Sequence, residues 1–451
     1  MKAHFPERQP VTRRDFLFGM GATSASLAFS TVLLPRRALA LNPVTHQVPS
    51  QYPTIQAAID ACISGDEILV APGIYHEVLD YLGKSVAVRS SGGAFVTTID
   101  ATGLGDAVVS FDLAEDSGAI LDGFRITGGI GNGTPSLRFG GGVYINGASP
   151  VIKRCIISGN VAHAGAGIFA IVGAPTIEDT IITQNHSHGC TTSGVGGSGF
   201  TSCYSYSTLI RCRVTDNSHE GYLSGGGASF VGGMSTMQSS LVARNTATYG
   251  GGFRASSCSF AVVCSTVTDN VATNKGGGIH LSGTSGNINM SNSILWGNSA
   301  PNSPQVFASS TASAWISTSC IEGGFSHPNA TNIYTVDPVF IDRTAGNYRL
   351  HETSPLRDVG DNAAMPEGSS TDLDELPRIV NSTVDLGAYE FQAASSLCVG
   401  DINNDNQVGI QDLTSVLNDW GSSSSPADVN GDGIVGNLDL INVLNNWGPC
   451  E

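Results

Sequence analysis

Between residues 140 and 300 the chain alternates short apolar runs with clusters of Gly, Ser, Asn and Pro. The stretch "GGGVYINGASPVIKRCIISGN" (140–160) shows one unit in full. Val143 and Ile145 alternate on one strand, "NGASP" turns the chain, and Ile152, Cys155 and Ile157 share the inward side of the next strand. A period of two inside short runs bounded by turn formers predicts strands and leaves no room for helices. The phrase that closes the unit returns as "TIITQN", "CRVTDN", "SLVARN", "STVTDN" and "SILWGN". Asn160, Asn185, Asn217, Asn245, Asn270 and Asn298 therefore recur at steps of 25, 32, 28, 25 and 28 residues.

Self-similarity at that period marks a repeat architecture in which each unit stacks on its neighbours. Parallel rungs spaced about 4.8 Å apart turn equivalent residues into columns. Five residues before each asparagine stand Cys155, Thr180, Cys212, Ser240, Ser265 and Ser293, all small, as an inward corner of a narrow coil requires. The asparagine column is expected to satisfy turn backbone through side-chain ladders, and the glycines after it to permit the next corner. The predicted fold class is all-β, a parallel β-helix over residues 41–391.

Composition agrees with a thin core: 56 glycines in 451 residues and only 13% charged residues. The formal charge of −17 disfavours nucleic acid and anionic membranes as partners. The first 40 residues carry a net +4, with Arg13–Arg14 before a mild apolar stretch and "ALA" at 38–40. This resembles a twin-arginine export signal and implies a periplasmic, cell-surface or secreted protein. Removing it leaves −21. Export would place the ten cysteines in an oxidising compartment. Cys155 and Cys212 read as buried fillers, Cys190 near the start of an insertion at 189–199 could pair with Cys203 just beyond its end, and Cys398 with Cys450 brackets the last segment as the predicted disulfide.

The opening "YPTIQAAIDACISGDEILVAPGIYHE" (52–77) resembles the cap of pectin lyase-like β-helix proteins. Ile55, Ala58, Ile59 and Cys62 have helical spacing, so a short helix can plug the first coil. "DPVF", "NYRL", "SPLRDVG", "TDLDELPR" and "VDLGAYEF" (337–391) resemble the closing segment of exported bacterial β-helix proteins. The resemblance implies a right-handed coil and polysaccharide as partner. It implies no single activity, because the superfamily spans lyases, hydrolases, esterases and non-catalytic surface proteins.

Two sets of residues are candidates for chemistry on the coil. Asp122 and Arg125 in "LDGFRITGG" are the right types for a lyase site, but a solvated strand face explains them as well. Three positions after successive asparagines stand His163, His188 and Glu220, the candidate catalytic set. Imidazoles and a carboxylate on neighbouring rungs can exchange protons or hold a metal. The plain alternative is a row of exposed turn residues.

The tail repeats itself. "GDINNDNQVGIQDLTSVLNDWG" (400–421) and "ADVNGDGIVGNLDLINVLNNWG" (427–448) are one unit offset by 27 residues. Asp401, Asn403, Asp405 and Asp412 in the first loop, and Asp428, Asn430, Asp432 and Asp439 in the second, occupy positions 1, 3, 5 and 12. With the carbonyls of Gln407 and Ile434 at position 7, that spacing wraps Ca2+. A helix with apolar i, i+3, i+4, i+7 positions follows each loop: Leu413, Val416, Leu417, Trp420, then Leu440, Val443, Leu444, Trp447. Residues 398–451 resemble a type I dockerin domain, joined by a linker at 392–397. The resemblance implies calcium and a cohesin-like protein or cell-surface component as partner. The first loop departs from it with Asn406 where Gly is usual, and Ile410–Gln411 and Asn437–Leu438 replace the recognition Ser/Thr. Two functions remain open from sequence: an exported β-helix that binds or processes polysaccharide as a lyase or hydrolase, or a non-catalytic adhesin or structural surface protein.

Overall fold

The computed structural model describes residues 43–188, 196–221, 225–283, 286–392, 399–403, 407–423, 425–430 and 432–449. Residues 1–42, where the export signal is expected, Cys190, Cys398, Asp405, Cys450 and residues 393–397 of the expected linker lie outside the described residues.

Residues 43–334 form a parallel β-helix with three faces. One face stacks nine strands, from Leu79–Asp80 to Val306–Ala308. A second runs from Thr45–Val48 to Ala330–Tyr334 and a third from Gly73–Tyr75 to Ile294–Trp296. A short corner ladder joins Val161–Ala162, His186–Ser187, Ser218–His219, Thr246–Tyr249 and Val271–Lys275. Neighbouring rungs keep strict register: Ile152 pairs with Ile177 and Ile177 with Leu209. The long repeat spends its extra residues between His186–Ser187 and Phe200–Cys203, so Ile182 still meets Val214 on the far side.

The inward set is the expected one. Val143, Ile145, Ile152, Cys155 and Ile157 are all buried in one continuous core. The small column also bonds: Cys212 N donates to Ser240 Oγ at 3.0 Å, Ser240 N to Ser265 Oγ at 3.2 Å and Ser265 N to Ser293 Oγ at 3.1 Å. Its serines therefore serve a narrow turn that Ala would leave short of an acceptor. Burial pushes the thiols of Cys155 and Cys212 up to about 12, which makes them inert fillers. Cys203 is a free thiol packed with Ala164 and Phe169.

The corner geometry differs from the expectation in one respect. The left-handed residue stands immediately before each asparagine and is mostly not glycine: Gln184 (φ +55°), Asp216 (+57°), Arg244 (+56°) and Asp269 (+56°). Several of the glycines answer instead to close approach. A Cβ on Gly227 would lie 2.6 Å from Gly252 O and 2.8 Å from Asn245 Nδ2.

Helix Ile55–Ala61 closes the first rung. Thr54 caps it by accepting from Ala57 N at 3.1 Å, and both carboxylate oxygens of Glu77 take the N–H groups of Ile55 and Gln56 at 2.9 Å. Ile55, Ala58, Ile59 and Cys62 join the solenoid core. The closing segment does something the sequence does not disclose: it folds back along the third face. Tyr348, Leu373, Ala388 and Tyr389 cover Leu241 and Ala243, while Leu350, Leu356 and Leu386 cover Ile294 and Cys320. Ion pairs Arg213–Asp374 (3.0 Å) and Arg343–Asp269 tie it to two rungs with one rung between them. Among the described residues no helix is long and apolar enough to cross a membrane.

Candidate functional site

The corner ladder positions the histidines. His186 pairs with Val161 and Ser218, and Ser187 pairs with Ala162 and His219. His188 N donates to Ala162 O at 3.0 Å and Glu220 N to Ser187 O at 2.9 Å, so His163, His188 and Glu220 hold the next position on three successive rungs. Ala162, Ser187 and His219 are buried, which turns the residues on either side outward.

The structure groups two of the three predicted residues, His188 and Glu220, and engages the third with a neighbouring loop. His163 is engaged locally: its Nδ1 accepts from Arg138 N at 3.0 Å, and its backbone N–H donates to Arg138 O. The group whose ligand atoms all lie within 4.8 Å of one another is His186, His188 and Glu220. His186 Nδ1 lies 2.8 Å from Ser218 Oγ, its Nε2 lies 4.0 Å from Glu220 Oε1, and the two imidazoles meet edge to face at 4.8 Å. His186 lies one position after its asparagine and so falls outside the column three positions after it. The H-x-H pattern at 186 and 188 was its signal, since both members of such a pair leave a strand on one side. His219 points inward, and burial followed by the nearby His186 and His188 lowers its pKa to about 4.

Asp122 is no free base. It is buried and paired with Arg89 at 2.5 Å and with Arg154, while Lys153 lies at 3.9 Å. Arg125 turns away to Ser158 Oγ at 3.3 Å. Asp122 is thus a buried carboxylate within an ion-pair network with Arg89 and Arg154, and Arg125 stands outside that network. His46, Cys62 and Asp66 also gather at the capped end. There Asp66 is saturated by Val44 N, Ile63 N and His46, and burial with the Asp66 charge raises the Cys62 thiol to about 11.

Among the described residues, recesses open on the coil at two places of contrasting lining. One, of about 350 Å³, is lined by Asp80, Asp106, Asp112, Asn132 and Gln56. Burial, then the Asp80 charge, raises the Asp112 carboxyl. The other, of about 370 Å³, surrounds Trp315, which is 55% exposed. Ala314 and Ile316 point into the core, so Trp315 stands outward. Asn289 pairs with it from the rung before, Asn329 lies beside it on the rung after, and Ile316, Ser317, Thr331 and Pro328 complete the lining. No lining residue is charged. A lone aromatic at an outward strand position was the available signal, but it needs the register to be read.

In the tail, helices Ile410–Asn418 and Asn437–Asn445 follow the two loops, and Gln407–Val408 pairs antiparallel with Gly448–Pro449. Asp412 and Asp439 are fully buried. Asp412 accepts from Ile402 N and Gly409 N at 2.7 and 2.8 Å, and Asp439 from Asn430 N and Gly436 N at 3.1 and 2.7 Å. Burial would raise the Asp439 carboxyl, but the amides of Gly436, Asn430 and Val429 outweigh it and hold it below the usual range. Asp428 accepts from Asp432 N and Gly433 N, curling the loop around its oxygens. The apolar stripe divides: Val416 and Val443 are buried with Val408, Ala427 and Val435, whereas Leu417, Trp420, Leu444 and Trp447 are each about half exposed.

Residues 113–321 match the family described as right handed beta helix region. That gives the coil its hand. A solved structure described as pectate lyase Pel9A superposes with a TM-score of 0.46 at 15% identity, covering 75% of this chain and 91% of that one. No curated protein matches the sequence.

Proposed function

We propose that this is an exported β-helix protein that binds polysaccharide on the coil and docks through a calcium-loaded tail. The observation that carries the first half is Trp315. A sugar ring has an apolar C–H face and a rim of hydroxyls; a flat indole suits the face, and flanking amides and hydroxyls suit the rim. Asn289 and Asn329 stand one rung either side of Trp315, and a rung spacing of about 4.8 Å is close to the length of one pyranose ring. The uncharged lining, on a chain of formal charge −17, favours a neutral glycan over an acidic one.

Docking is supported by the tail. Its loops present only oxygen donors, the chemistry hard cations take, with Asp401, Asn403, Asp405, Gln407 and Asp412 holding one Ca2+ and Asp428, Asn430, Asp432, Ile434 and Asp439 the other. Ile410, Leu417, Leu438, Ile441 and Leu444 leave apolar area exposed on both helices, with Trp420 just past the first, as a partner-binding domain of the dockerin kind would. The twin arginine at Arg13–Arg14 supplies the export route.

Affinity electrophoresis of the chain from residue 41 through gels containing neutral or acidic polysaccharides tests the binding. Retardation by a neutral glycan that Trp315→Ala abolishes is expected. Equal mobility in every gel would refute it. Assaying the same mixtures for new reducing ends and unsaturated products separates a processing enzyme from a non-catalytic adhesin.

A further inference from the structure

We propose that His186, His188 and Glu220 bind one divalent transition-metal ion of the zinc class on the corner of the coil. The donors come from two adjacent rungs whose backbones are already fixed to each other by the ladder, so little order remains to be imposed on binding. All three donor atoms lie within 4.8 Å of one another. Bonds of about 2.0–2.1 Å in a tetrahedron require donors about 3.3 Å apart. Rotation of two exposed side chains closes the difference: His188 is exposed and the Glu220 side chain is 78% exposed.

The arrangement also selects which nitrogen binds. Ser218 Oγ engages His186 Nδ1 at 2.8 Å, and Nε2 is turned toward Glu220 at 4.0 Å. An outer partner on the far nitrogen is how metal-binding imidazoles are held in one tautomer and orientation. Two imidazoles and one carboxylate suit zinc-class ions rather than calcium, which takes oxygen donors. Three protein ligands leave the fourth position to water or a ligand. His163, one rung back, stays outside the set because the Arg138 amide takes its Nδ1. The other His–Cys–Asp group on the coil competes poorly, since Asp66 is saturated by hydrogen bonds and the Cys62 thiol is buried.

The site is independent of the glycan reading and is tested without it. The chain from residue 41, stripped by chelator and reduced, is held in excess calcium so that the oxygen loops of the tail are filled. Zn2+ is then titrated against a chromophoric chelator. One tight equivalent is expected. His188→Ala and Glu220→Gln should each weaken it by more than about tenfold, the loss that even an outer partner of a metal ligand causes. His163→Ala should leave it unchanged. Both weakened variants should melt like the metal-free parent, while zinc raises the melting temperature of the parent alone. Substitution with Co2+ should give ligand-field bands without thiolate charge transfer. No tight equivalent, an equivalent indifferent to both variants, or a thiolate band placing the ion at Cys62 would each overturn the proposal.

Discussion

Asn217 donates its side-chain amide to Asn245 Oδ1 at 3.0 Å, and its backbone N–H reaches the same oxygen at 3.0 Å. One rung back, Asn185 treats Asn217 in the same way, at 3.0 and 3.1 Å. The amide also serves Ile182 O and Thr215 O. Each asparagine thus satisfies groups on three rungs in a buried site. Asn217→Ala strands at least Asn185 N and Ile182 O, and unsatisfied buried groups cost about 1–3 kcal/mol each. We expect a loss of roughly 3–5 kcal/mol in denaturant unfolding. Asn217→Asp should do worse, because a carboxylate cannot donate to those carbonyls. A loss under 1 kcal/mol in the alanine variant would show the ladder to be dispensable.

Gln184 offers the opposite change. It is exposed and held at φ +55°, and Gly159 and Gly297 occupy the equivalent place on other rungs. A left-handed conformation costs a residue with a Cβ about 1–2 kcal/mol, and Gly gives back about 0.5–1 in chain entropy. Gln184→Gly is therefore expected to stabilise the coil by about 0.5–1 kcal/mol, read as a higher denaturation midpoint at unchanged slope.

Two buried groups should tilt the pH dependence of stability in opposite directions. His219 titrates near 6.5 when unfolded and about 4 when folded, so the folded state favours its neutral form. Its contribution is complete above pH 6.5 and is lost as pH falls toward 4. Glu390 has the reverse sign: burial raises it from 4.5 to about 7, so stability falls as pH rises through that window. Each proton is worth up to about 1.4 kcal/mol per pH unit. His219→Gln should flatten the acid side of the stability profile, and Glu390→Gln should remove a decline between pH 4.5 and 7. Parallel profiles for parent and variants would contradict both assignments.

Calcium should govern the tail alone. A ligand at 100 times its Kd stabilises the state it binds by about 2.7 kcal/mol. Added chelator is expected to make residues 399–449 protease-labile while the coil survives, and Asp439→Ala should reproduce half of that effect at saturating calcium. Mass spectrometry of the unreduced chain from residue 41 should find Cys398 joined to Cys450, a closure worth about 4 kcal/mol in the chain-entropy account. Proteolysis indifferent to chelator would dismiss the calcium loops, and two free thiols would dismiss the bridge.

Much of the coil is readable before any coordinates, because local alternation and a fixed repeat determine which way Val143, Ile152 and Ile157 point. The asparagine ladder is readable for the same reason. Features that depend on contacts distant in sequence are not. Leu241 and Ala243 alternate like solvent-facing residues, yet residues more than a hundred positions later cover them. Trp315 becomes a candidate only when the neighbouring rungs are known to supply Asn289 and Asn329. At the histidine corner the residue types and the rungs were legible, whereas the selection of His186 over His163 depended on the Arg138 amide. In the tail, repeat and spacing located the helices, but a small core around Val408, Val416 and Val443 left Leu417 and Trp420 outside it.

The returning closing segment decides where mechanical load enters the molecule. Its last stretch lies against Leu241 and Ala243, with Arg213 bonded to Leu373 O and Asp374, so the chain leaves for the tail beside the middle of the coil. A pull through the tail does not peel the last rung from the stack. It shears a strap fastened across rungs at Arg213, Arg244, Asp269 and Asn292. Several bonds must then yield together before the pull reaches the last rung.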